Sequence, residues 1–72
     1  MSSQYPLLTA EAIVKALNRG GFSHVSQKGS HLKLKKDGRT VIIPIYEEVA
    51  RGTLRSILEQ AGLELAEFME LL

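Results

Sequence analysis

The sequence predicts an α+β domain: a helix, a three-stranded antiparallel sheet, a second helix and a short final helix. Three observations predict it. Ala10, Ile13, Val14 and Leu17 recur at helical spacing and form one apolar stripe. Asp37-Gly38 separates "HLKLKK" from "RTVIIPIY", and this dipeptide favours a two-residue hairpin turn because both positions need positive φ. Leu54, Ile57, Leu58 and Ala61 form a second helical stripe. Helices gathered on one face of a small antiparallel sheet define the class.

Taken in order, residues 1–7 read as a flexible lead-in, with Pro6 blocking regular structure. A single domain is expected over residues 8–72. Thr9 is suited to cap the first helix, and Glu11 sits in the first turn, where the helix dipole favours an acid. Gly20-Gly21 supplies the stop. "FSHVSQK" (22–28) is a strand with weak alternation. "HLKLKK" (31–36) alternates cleanly, as a strand buried on one face does. The returning strand, 39–46, is rich in β-branched residues. Thr53 is a candidate cap for the second helix and Gly62 its stop. "ELAEFMELL" (64–72) closes the chain, with Leu65, Phe68, Met69 and Leu72 on one side.

The turn at Asp37-Gly38 fixes a register. If Lys36 pairs with Arg39, then Leu34 faces Val41, Leu32 faces Ile43 and His31 faces Pro44. Leu32, Leu34, Val41 and Ile43 share the core face. His31, Lys33 and Lys35 share the other face with Thr40 and Ile42, and Tyr46 falls one diagonal step from His31. The missing N–H of Pro44 points away from the hairpin, so the third strand should be a sheet edge.

Composition narrows the function classes. The 72 residues include no cysteine, which excludes disulfides and thiolate metal sites. A chain this short buries only ~60% of its unfolded surface, so a protein partner would add useful burial. No signal-peptide pattern opens the sequence, and no apolar run approaches the ~20 residues that span a bilayer. The expected location is cytoplasmic, away from membranes. The net charge of +1 hides an asymmetry: residues 1–39 carry seven Lys/Arg against two acids, and residues 40–72 carry two against six. A basic half is a footprint for a polyanion, although solvated surface gives the same pattern.

His31 is the leading candidate for chemistry. An imidazole exchanges protons near neutral pH and can take one from an RNA 2′-hydroxyl, which then attacks the adjacent phosphate. Lys28, Lys33 and Lys35 could hold that phosphate. Gly29-Ser30 gives a flexible approach to the histidine, with Ser30 as a hydroxyl donor. Tyr46 could stack a base. An exposed strand histidine beside lysines is also compatible with a merely solvated face. His24 has no assigned face, and Arg51-Gly52-Thr53 reads equally as ordinary capping or an anion-binding helix start.

The stretches "GGF", "QKGSHLKLKKDGR", "VIIP" and "GTLRSILEQAGLELAEFMELL" carry a resemblance. The chain resembles the HicA-type toxins, small mRNA interferases of toxin–antitoxin modules that act in stress responses. The resemblance implies a fold like a double-stranded-RNA-binding domain, α-β-β-β-α with an added short helix. It implies metal-independent endonuclease cleavage of mRNA without a cofactor, by the histidine of Gly-Ser-His, here His31. It also implies a HicB-type antitoxin as protein partner, and no direct DNA binding by this chain. Many members carry a second histidine two residues after the strand proline, where this chain has Tyr46. Two other readings are a non-catalytic module that binds RNA and a purely protein-binding member of an inactive pair.

Overall fold

The computed structural model describes residues 5–72. The order is α1 (Ala10–Arg19), β1 (Ser23–Lys28), β2 (His31–Lys36), β3 (Arg39–Pro44), α2 (Arg51–Ala61) and α3 (Leu65–Leu71). The strands form one antiparallel sheet in the order β1-β2-β3, so the expected α+β class is observed. The expected lead-in falls partly outside the described residues, at 1–4. Residues 5–8 are held in place. Tyr5 packs against the core, its carbonyl accepts from Arg51 Nε at 2.7 Å, and Leu8 bridges to Val49.

Thr9 caps α1 as its side chain predicts, with Oγ1 accepting from the N–H of Ala12 at 3.1 Å. The stripe is wider than its four expected members: Ala16 is buried and Val14 only half-buried. The β2–β3 register matches the turn-derived one pair for pair, from Lys36–Arg39 to His31–Pro44. Asp37 (φ 49°) and Gly38 (φ 82°) both take the left-handed conformation that this turn demands. Leu32, Leu34, Val41 and Ile43 are buried together beneath the helices.

β3 is an edge strand, as Pro44 requires. Its outward N–H at Ile42 donates to Gln60 Oε1 of α2 at 2.9 Å, so one side chain satisfies the edge that the proline leaves half-blunted.

Four expectations need correction. The third strand ends at Pro44, because the Tyr46 N–H bonds back to the Pro44 carbonyl at 2.9 Å and closes a three-residue turn. The second helix starts at Arg51 with Ala50 as N-cap and no side-chain cap, so Thr53 lies inside the first turn. Gly29-Ser30 is a two-residue corner, not a flexible approach, since Lys28 pairs directly with His31. The final helix starts with a capping box of Glu64 and Glu67, and its inward side is Leu65, Phe68 and Leu71. Met69 and Leu72 stay about half exposed, at 45% and 46%.

Gly62 ends α2 in the left-handed conformation at φ 72°. A Cβ there would stand 2.5 Å from the Arg39 guanidinium carbon. Gly62→Ala is therefore expected to cost about 1–2 kcal/mol from the backbone alone, and more if Arg39 must move. Urea denaturation checks this, and an unchanged midpoint would count against it.

Candidate functional site: the open face of the sheet

The helices cover one face of the sheet and leave the other open. Pairing places residues of the three strands in rows on that open face. Lys28, His31 and Pro44 form the first row, Ser26, Lys33 and Ile42 the second, and Ser23, Lys35 and Thr40 the third. Neighbours within a row are ~5 Å apart and successive rows ~7 Å. His31 thus sits on the central strand with a lysine beside it and another one row below.

Local sequence explains how His31 is presented. Gly29 has φ 60° and Ser30 does not share that sign, which is the backbone of a type II′ hairpin turn with glycine first. Gln27 Nε2 donates to the Gly29 carbonyl at 3.2 Å, and the Ser30 carbonyl accepts from the Ile45 N–H at 2.7 Å. The corner is thereby tied to β1 and to the residue that follows β3. His31 comes directly after it, and its side chain is exposed.

None of the nine ladder residues is acidic, and no acid occurs between residues 12 and 36. Lys28, Lys33 and Lys35 are exposed, and among the described residues none of them forms an ion pair. Lys36 belongs to the other face. Its Nζ donates to the Gly20 carbonyl at 2.6 Å and lies 5.8 Å from the centre of the Phe22 ring. That ammonium fastens the hairpin to the end of α1.

The structure therefore brings His31, Lys28, Lys33 and Lys35 onto one face, with Ser30 in the adjoining turn. Tyr46 is different. It lies past the strand end, off the ladder, and is 55% exposed. Its backbone is fixed on both sides, by the bond to Pro44 and by the Ala10 N–H, which donates to its carbonyl at 3.2 Å. Ser26 and Ser23 complete the face and were not legible in the sequence, because an irregularity between His24 and Ser26 shifts the β1 register. Among the described residues no group of three or more His, Asp or Glu is placed to hold a metal ion, and no helix is long and apolar enough to cross a membrane.

What fold and face define is a small α+β protein whose open sheet face is acid-free and lysine-lined around the exposed His31. The family described as "HicA toxin of bacterial toxin-antitoxin" matches residues 10–63. No curated protein matches the chain. The chain belongs to the HicA toxin family, and is the toxin side of a toxin–antitoxin module.

Proposed function

We propose that this toxin is an endoribonuclease that cleaves mRNA in the cytoplasm, without a metal, at the open face of its sheet. The observation that carries the reading is His31, exposed on the central strand between Lys28 and Lys33 with no carboxylate on the face. The RNA backbone lies along the lysines, whose charges attract phosphates and offset charge developing in the transition state. His31 takes the proton of a 2′-hydroxyl. The 2′-oxygen bonds to phosphorus, and the bond from phosphorus to the 5′-oxygen breaks. The departing 5′-oxygen takes a proton from the imidazolium, from Tyr46 or from a lysine. The products are a 2′,3′-cyclic phosphate and a 5′-hydroxyl.

Ser30 donates a hydrogen bond to a phosphate oxygen in this reading. Tyr46 contacts the RNA at the end of the face, where an exposed phenol ring on a fixed backbone suits a stacked base. A HicB-type antitoxin neutralises the toxin.

The test is incubation of the protein with a mixed single-stranded and structured RNA in EDTA, with the product ends identified. Cleavage leaving cyclic phosphate ends supports the reading, and intact RNA in the presence of folded protein contradicts it. Removing the lysines gives a second readout. Lys28→Ala, Lys33→Ala and Lys35→Ala should each weaken RNA binding and lower the slope of log affinity against log salt by ~0.7 per lost phosphate contact. An unchanged slope in all three variants would move the RNA off this face.

A further inference from the structure

β1 is the least covered element of the fold. All six of its residues are exposed, whereas α1 and α2 pack against β3. β1 is also an outer strand, paired only with β2. The tight corner at Gly29-Ser30 makes Lys28 and His31 the pair that exchanges both backbone hydrogen bonds. One residue back, the N–H and C=O of Gln27 must then point outward, to the free edge. The other edge of the sheet is treated differently: Gln60 caps the outward N–H of Ile42, and Pro44 removes the next donor. Among the described residues no such cap occurs on β1.

An uncapped edge accepts another strand. The irregularity at His24–Ser26 keeps the available ladder short, which suits a brief, specific pairing over open-ended stacking. Val25, the one large apolar side chain of β1, is 49% exposed there. Charge selects the occupant. The β1–β2 hairpin carries Lys28, Lys33, Lys35 and Lys36 and no acid. A second copy of this chain would set two such hairpins side by side. RNA lacks the alternating backbone donors and acceptors of a strand.

We propose that the free edge of β1 is a docking site for the antitoxin, which adds a short, acidic, extended strand beside it. The inference rests on the assignment of the chain as a toxin with a protein partner, but not on the chemistry of His31. The added strand becomes the fourth of the sheet, next to Lys28, and its upward side chains reach the lysine-lined face from the side.

The experiment compares three proteins for binding to the purified antitoxin of the module and for RNA cleavage: the parent and two variants. Gln27→Pro removes the outward donor at an edge position where proline is tolerated. Gln27→Ala removes only the side chain and its bond to Gly29. The expected result is a loss of antitoxin affinity of about tenfold or more for Gln27→Pro, no such loss for Gln27→Ala, and the same RNA cleavage in the two variants, which both lose the side-chain bond to Gly29. If the proline variant does not fold, a synthetic chain N-methylated at Gln27 removes the same donor. Antitoxin binding that is equal in the parent and the donor-free variant overturns the proposal, as does a parent that does not bind the antitoxin. A parent dimer that the donor-free variant abolishes would give the edge to a second copy. Loss of RNA affinity in parallel would give it to RNA. Cleavage by the parent is read separately, so failure of the docking site and failure of the ribonuclease reading are distinguishable.

Discussion

His31→Ala is expected to lower RNA cleavage by about 10²–10⁴-fold, the usual loss when a positioned acid–base group is removed, and to abolish toxicity. The fold should persist. The side chain is exposed, has no hydrogen-bond partner among the described residues, and projects from the face opposite the core. Surface substitutions of this kind usually stay within ~0.5 kcal/mol. The pairing of a large kinetic loss with a negligible thermal shift separates catalysis from structure. Circular dichroism melting alongside the cleavage assay reads both. A variant that cleaves at the parent rate removes the catalytic role, and one that unfolds shows that His31 is structural.

The second large effect lies at the opposite side of the domain. Phe68→Ala is expected to destabilise the protein by about 3–5 kcal/mol, the range for emptying a buried aromatic site. A chain of 72 residues has a total stability of only ~4–11 kcal/mol. Phe68 is fully buried, at 0% exposure, and is the one buried residue of α3. Seven residues are too few to hold a helix without tertiary contacts. Losing the ring should therefore release α3, together with the 2.7 Å bond from Arg19 to the Leu71 carbonyl. At ~4–8 °C per kcal/mol for a domain of this size, the melting temperature should fall by more than ~12 °C. A fall of only a few degrees would mean that α1 and the sheet hold together without α3. The family match ends at residue 63, before α3 begins, so the same melting experiment reads how far the matched segment depends on the C-terminal helix.

The legible parts of this fold were those fixed by local chemistry. Asp37-Gly38 dictates a turn geometry, and the turn dictates every pair from Lys36–Arg39 to His31–Pro44. That single inference placed His31, Lys33 and Lys35 together on the open face. The α1 cap at Thr9 and the stop at Gly62 were likewise local. The misread parts depend on tertiary contacts. β1 has no buried side chain, so it carries no alternation from which its irregular register could be read. The side of α3 that turns inward is set by its packing against α1, which favours Leu71 over Met69. The strand end at Pro44 comes from a backbone bond that the β-branched run conceals, and it takes Tyr46 off the ladder. Gln60 satisfies the edge from a helix eighteen residues away in sequence, a pairing no local pattern announces.

The most direct measurement of the central claim is a single-turnover assay of parent and His31→Ala on one labelled RNA in EDTA, with binding measured on the same samples. The account predicts equal binding, held by Lys28, Lys33 and Lys35, with cleavage by the parent alone. Cleavage by both proteins, or by neither, would contradict it.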